Sequence, residues 1–349
     1  DGVSQQEVED FYSHLSSDDD FRQPSFGLNS TLCKDSKGNI KEIVWKIGGK
    51  YSQTIKKIVE NLQTASIYAE NEQQKKVIST LIDYYTTGDL RTFDLYSIEW
   101  LKELDGMIDI VNGFIEVYGD PLGIKASWEG IVEYKDLGAC HRTQTICSNA
   151  EWFERHSPVN PLFKKEKVTG VTANVVCAAM LGGDEYPSTA IGINLPNADW
   201  IRSEYGSKSV TIGNLTAAYS KASQGNGFLE EFVIDNDTVE MIRKYGDRCD
   251  DLHTDLHECL GHGSGRLLQG VSPDALKAYG NVIEEARADL FGLYYIADKK
   301  LVDLGLTPNM EAYKSQYYTY MMNGLMTQLV RVKQGNCIEE AHMRNRALI

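Results

Sequence analysis

The sequence predicts an α+β protein of two lobes, and three observations carry that expectation. At roughly 100 to 200 residues per domain, 349 residues suggest two lobes, each large enough to bury a core without disulfide or metal staples. Apolar residues recur at helical spacing near the amino end and again through the carboxyl half. Short β-branched runs bounded by Gly and Asn concentrate in the middle of the chain.

Helices are predicted over residues 5–15 and 51–87, where Ile55, Ile58, Val59 and Leu62, then Val77, Leu81, Ile82 and Tyr85, fall on one face. Between them the turn cluster Asp35-Ser36-Lys37-Gly38-Asn39 precedes a β-type run over 40–47, a hairpin or edge strand. Gly88-Asp89 and Gly119-Asp120-Pro121 punctuate a helical region that includes Ile98, Leu101 and Leu104. Strand candidates at 127–134 and 167–176 flank a helix near 143–155, and 191–195 and 209–212 read as short strands. Residues 238–245, 250–268, 274–304 and 310–333 are mainly helical in pattern, which gives a helical second half.

Composition excludes several classes. Thirty-five Lys and Arg against 50 Asp and Glu leave a net charge of −15 with no basic stripe, so nucleic acid is not an expected partner. The longest apolar-leaning stretch, 171–183, is interrupted by Thr172 and Asn174 and is too short to span a bilayer, so no membrane segment is expected. Seven cysteines, an odd number without a CxxC pair, fit a reducing compartment, and the expected location is the cytoplasm. The chain begins at Asp1 without Met and stops inside a helical pattern over 341–349, which suggests a piece of a longer protein.

The sharpest chemical signal is His257-Glu258-Cys259-Leu260-Gly261-His262, an HExxH-like motif with one residue inserted before the second His. On a regular helix, residues four apart diverge by about 40° and can share a metal, whereas residues five apart diverge by about 140°. Chelation therefore requires a local bulge or a break at Gly261, where a permissive backbone brings His262 round. Cys259, between them, reads as a packing residue, and His253 as a surface or supporting residue. Downstream lies Glu284-Glu285-Ala286-Arg287-Ala288-Asp289 on a predicted helix. Glu285 and Asp289, four apart, share a face, so one carboxylate can ligate while the other holds a ligand imidazole.

Together the two motifs resemble the dipeptidyl peptidase III family of zinc exopeptidases, in its bacterial-type form, marked by HExxGH followed by EExxA and an acidic residue. The likeness continues in Phe114-Ile115-Glu116-Val117-Tyr118-Gly119-Asp120-Pro121-Leu122-Gly123, in Gly192-Ile193-Asn194-Leu195-Pro196-Asn197, in Gly206-Ser207-Lys208-Ser209-Val210, and in Glu340-Ala341-His342-Met343-Arg344-Asn345-Arg346. It implies two lobes with a cleft: a mixed lobe with a β core (1–136 and 178–223) carrying the substrate-amine subsites, and a mainly helical zinc-binding lobe (137–177 and 224–349) truncated at its carboxyl end.

Residue by residue, the resemblance implies one zinc per chain on His257, His262 and Glu285, with Glu258 as general base and Glu284 and Asp289 orienting the imidazoles. It further implies that Glu116, Asn194 and Asn197 hold the substrate's free amino terminus. Tyr118 and His342 would stabilise the reacting carbonyl, and Arg346 would anchor the peptide beyond the cut bond. Taken singly, each of these last side chains is more often structural, so their roles rest on the resemblance. The expected activity is zinc-dependent removal of dipeptides from the amino terminus of short peptides. The alternatives are a zincin-like endopeptidase or amidase, and a non-catalytic peptide-binding protein that kept the scaffold. With His342 and Arg346 close to the end of the chain, this piece is expected to bind zinc yet cleave slowly.

Overall fold

The computed structural model describes residues 2–15, 21–168, 174–187, 192–223, 225–271, 276, 279–338 and 341–349. Helix α1 (Gln5–Ser13) starts on a capping box, in which the Ser4 hydroxyl accepts the Glu7 amide and the Glu7 carboxylate accepts the Ser4 amide. Strands β1 (Ser30–Lys34) and β2 (Ile40–Val44) pair antiparallel, Ser30 opposite Val44. Asp35 makes the turn between them by accepting the Lys37 and Asn39 amides.

The helical pattern over 51–87 resolves into α2 (Ser52–Ser66) and α3 (Glu72–Thr87), the second capped by Asn71. Gly88 ends α3 at φ 71°, and Asp89 caps α4 (Leu90–Lys102). Past α4 the helical reading fails. Residues 108–114 form strand β3 (Ile108–Phe114), antiparallel to β4 (Trp128–Lys135) with Val111 opposite Ile131. Ile108 and Ile110 alternate with Asp109, but Met107 before them and Val111 after them blur this into a helix-like apolar spacing.

The chain then runs through α5 (Leu137–Ser148) and α6 (Ala150–His156), and returns as β5 (Asn174–Gly183), β6 (Gly192–Leu195), α7 (Asp199–Tyr205) and β7 (Lys208–Ile212). Five strands make one sheet in the order β3-β4-β5-β7-β6. The strand expected over 167–176 contributes only its last three residues to β5, while 169–173 lie outside the described residues. Immediately upstream, the Lys164 ammonium donates to the Arg155 and Ser157 carbonyls and the Lys165 ammonium to the Gly263 carbonyl, which ties this segment to helical structure instead.

Helices α8 (Gly213–Ser223), α9 (Phe228–Phe232) and α10 (Asn236–Leu256) follow, and α10 passes without interruption into a π-helical turn, His257–His262. Helices α11 (Gly280–Ile296), α12 (Lys299–Asp303), α13 (Tyr313–Met322) and α14 (Ala341–Leu348) complete the chain, with a second π turn at Asn323–Gln328. Helicity thus stops at His262 rather than at residue 268, and 272–275, 277 and 278 lie outside the described residues.

Two compact units result: Asp1–Lys135 with Val176–Gly213, and Asp136–Val175 with Asn214–Ile349. In the second, Ile146, Phe153, Leu252, Leu256, Cys259 and Tyr295 belong to one buried apolar cluster joining α5, α6, α10, the π turn and α11. Among the described residues no helix is long and apolar enough to cross a membrane, and all seven cysteines are free thiols.

Candidate metal centre and an acidic cavity

One face of α10 is apolar, with Cys249, Leu252 and Leu256 in the core. That anchoring turns His253 and His257, four apart, toward α11. Buried Asp255 is held by an ion pair with Arg142 of α5, which fixes the last turn of the helix before the motif. The π turn then carries His262 to the same side as His257, since i to i+5 bonding stacks residues five apart. Their rings lie 4.7 Å apart, centroid to centroid.

The expected bulge is present, but Gly261 serves it differently from the sequence reading. Its φ is not positive. A Cβ there would stand 2.6 Å from the Ala288 Cα of α11. The glycine is required for close approach of two backbones, and that approach brings Glu285 to the histidines. Gly292 has the same role further along α11, where a Cβ would lie 2.7 Å from the His253 ring. His253 is 5% exposed, so it is not a surface residue, and its Nε2 lies 3.4 Å from the Asp289 carbonyl oxygen, the position of a supporting one.

Both imidazoles are fixed through Nδ1. His257 donates to Asp289 Oδ1 at 2.8 Å and His262 to Glu284 Oε1 at 3.0 Å, so each ring in its neutral form carries its lone pair on Nε2. The His257 Nε2 lies 3.3 Å from Glu285 Oε2 and the His262 Nε2 lies 3.9 Å from Glu285 Oε1. Glu285 Oε2 is buried and accepts no hydrogen bond. Ligand atoms about 2.1 Å from a tetrahedral zinc sit about 3.4 Å apart, so this bare oxygen and the free imidazole nitrogens fit a metal ion. Ligand atoms of His257, Glu258 and His262 also lie within 4.8 Å of one another, so Glu258 is itself within ligand reach of the two histidines.

Electrostatics favour positive charge at this point. Burial works against a charged His257, but Asp289, Glu285 and Glu258 outweigh it and raise the imidazole to about 9. Burial likewise opposes ionised Asp289, yet bonds from His257 and Tyr320 hold it well below the usual carboxylate range. Glu284 is lowered to about 2 against burial by His262 and by Arg287, whose guanidinium it accepts at 2.6 and 2.9 Å.

Helix α14 packs on α11 and adds two of the expected residues. The His342 Nδ1 lies 3.5 Å from Glu285 Oε2, with over half of the side chain exposed. Arg346 stacks 4.1 Å over the Tyr320 ring, its Nε 3.7 Å from Asp289 Oδ2. Sequence reasoning missed Tyr320 and Asn345, which donate to Asp289 Oδ2 at 2.7 and 2.6 Å. Tyr320 lies in none of the quoted motifs, and Asn345, although inside the segment that carries His342 and Arg346, was given no role there.

The other expected residues lie in the first unit. Glu116, Tyr118, Asn194 and Asn197 line one cavity of about 480 Å³, together with Glu129, Asp184, Glu185 and Arg202. The Asn197 amide donates to Glu116 Oε1 at 2.9 Å, and Arg202 donates to Asn194 Oδ1 at 2.9 Å. Glu129 is 3% exposed and accepts the Glu116 amide; burial lifts its carboxyl to about 7, the neighbouring carboxylates adding to the effect. Tyr118 is 89% exposed. Glu129, Asp184, Glu185 and Arg202 were not anticipated, although a charge inside the β-type run at 127–134 is a hint that a cavity crosses it.

Two oriented imidazoles, a bare buried carboxylate oxygen and an adjacent glutamate define a candidate metal site of the type used by metal-dependent hydrolases. The family model for peptidase family M49 matches residues 24–278, including the His257–His262 turn, and the chain belongs to that family. It is similar to dipeptidyl peptidase 3 of Homo sapiens, 30% identical over 220 residues that cover 63% of this chain and 29% of the relative. The protein of the same name from Dictyostelium discoideum is 26% identical over 310 residues, covering 78% of this chain and 43% of that one. The fold matches the structure of DPP III from Caldithrix abyssi with a TM-score of 0.74 at 20% identity, over 99% of this chain and 63% of that one. The chain therefore spans about a third to a half of the curated relatives it matches.

Proposed function

We propose that this chain carries the metal site and the amine-binding cavity of a zinc-dependent peptidase that removes dipeptides from the amino terminus of short peptides. The observation that carries the reading is the bare Glu285 Oε2 facing the free nitrogen of His257, with His262 and Glu258 beside it. His257, His262 and Glu285 would hold the ion, and Asp289 and Glu284 keep the imidazoles in the ligating tautomer. When bound, zinc supplies Lewis acidity toward water and the scissile carbonyl. Glu258 accepts the proton of the attacking water and returns it to the leaving amine, so no covalent intermediate forms. His342 would donate a hydrogen bond to the developing oxyanion and Arg346 would meet the peptide beyond the cut bond.

Removal of two residues at a time requires recognition of a free amine. Glu116, hydrogen-bonded to Asn197 in a cavity that also holds Glu129, Asp184 and Glu185, supports that role: clustered carboxylates favour an ammonium. The test is cleavage of a dipeptidyl 2-naphthylamide and of its amine-blocked form by zinc-loaded protein. Turnover of the free form alone, lost in Glu258→Gln with zinc retained, is the expected result. Equal cleavage of the blocked form would make the protein an endopeptidase or amidase, and zinc binding without turnover a peptide-binding protein.

A further inference from the structure

A second cavity in the first unit, of about 330 Å³, has a different character. Its walls are mostly apolar, including Phe26, Phe93, Tyr96, Trp100, Ile115 and Leu195. The space opens to the outside, and its size lies in the range of small-ligand sites. One carboxylate lines it, that of Asp94, which is 8% exposed.

Apart from exposed Ser25, the other polar side chains of the wall are engaged within the protein. The Tyr96 hydroxyl donates to the Ile110 carbonyl at 3.4 Å, Ser97 to the Phe93 carbonyl at 3.1 Å, and the Trp100 indole to Asp109 at 2.9 Å. The Asn197 amide is taken by Glu116. Among the described residues, no hydrogen bond or ion pair reaches Asp94. Burial pushes its carboxyl up to about 7; the Arg91 charge opposes that and Asp89 adds to it. Its oxygens are not among the sealed, unpartnered atoms of the structure, so in a residue that is otherwise buried they open onto the cavity and are available to a donor there.

We propose that this cavity is a binding site for a small amphipathic cation, a primary ammonium on an aromatic or aliphatic body, with Asp94 taking the charge and the aromatic walls taking the body. Both halves of the recognition chemistry are present: one buried acceptor for an N–H donor, and rings that favour both an apolar group and a nearby cation. The site is separate from the carboxylate-lined cavity, although Val111, Leu195 and Asn197 border both.

The experiment is calorimetric titration with 2-phenylethylamine and its neutral counterpart 2-phenylethanol. Both are run on a Glu116→Gln background, which weakens amine binding in the acidic cavity. Saturable binding of the amine is expected. Adding Asp94→Asn should weaken the amine about tenfold or more and leave 2-phenylethanol within about twofold, because only the charge-assisted bond is lost. Ser25 is exposed at the edge of the cavity, so Ser25→Trp should fold normally and weaken both compounds by obstructing the mouth. No saturable amine binding up to about 10 mM, an equal amine affinity with and without Asp94, or unchanged binding in Ser25→Trp would each overturn the proposal.

Discussion

The division of labour between Glu258 and Glu285 is set by what surrounds each carboxylate. Glu285 Oε2 is buried against two imidazole nitrogens, whereas Glu258 borders the same space without being needed to complete a three-ligand set. Glu258→Ala should therefore keep the metal and lose at least about 10²-fold in kcat, since a general base acts on the transition state and not on metal affinity. Loss of metal on that substitution, measured by elemental analysis, would make Glu258 a ligand. Asp289 is the most heavily bonded carboxylate of the site, taking His257, Tyr320 and Asn345 at once. Tyr320→Phe removes one of those donors while preserving the ring under Arg346. It should lower zinc affinity by roughly 10-fold, within the range seen when groups behind a ligand are removed. Chelator competition measures this, and an unchanged affinity would leave Tyr320 a packing residue only. The proposed ligand set could be named from the sequence because His257, His262 and Glu285 sit in motifs whose chemistry is local. Tyr320 and Asn345 were not legible, because their partner lies 31 and 56 residues away and only tertiary packing brings them to it.

Among the elements, the π turn at His257–His262 is what brings the two proposed histidine ligands to one side. Its position follows from the contact of Gly261 with Ala288. Gly261→Ala should destabilise the second unit by about 1–3 kcal/mol through overpacking and also weaken zinc binding. Ala288→Gly in the same chain should partly restore both, because one of the clashing atoms is the Ala288 Cβ. Thermal unfolding with and without zinc reads both effects; no rescue would mean that the close approach is not the reason for the glycine. The inserted residue announced the bulge in sequence, but the reason for glycine at that place needed α11, which the motif alone does not reveal.

Strand β4 gives the pH-dependent counterpart. Glu133 follows a register shift in its pairing with β5, is fully buried, and neither of its oxygens has a hydrogen-bond partner. Burial, reinforced by Asp109 and opposed by Lys208, raises its carboxyl from 4.5 to about 8. The folded state thus keeps a proton that the unfolded chain gives up first. Its contribution to stability is full below about 4.5 and is lost as the pH rises toward about 8. Glu133→Gln should flatten the Tm profile over that range, and parallel profiles for the two proteins would contradict this assignment.

At the scale of the whole molecule, the chain visits the first unit, crosses to the second, returns, and crosses again, so neither unit is a continuous segment. Length and periodicity made a two-lobed α+β fold legible before any coordinates. The strand β3 was hidden because Met107 beside it and Val111 within it obscure its alternation, and only pairing with β4 settles it. Functional residues divide in the same way: the metal centre draws only on the second unit and the acidic cavity only on the first. The metal centre needs no residue from the first unit, so it can be tested on this chain as it stands. The direct measurement is zinc stoichiometry by elemental analysis after reconstitution and dialysis, for the parent chain and for His257→Ala, His262→Ala, Glu285→Ala and Glu258→Ala. One zinc per chain is predicted for the parent and for Glu258→Ala, with loss of zinc in the other three. A parent chain without stoichiometric zinc, or zinc retained at full occupancy in Glu285→Ala, would contradict the proposed ligand set.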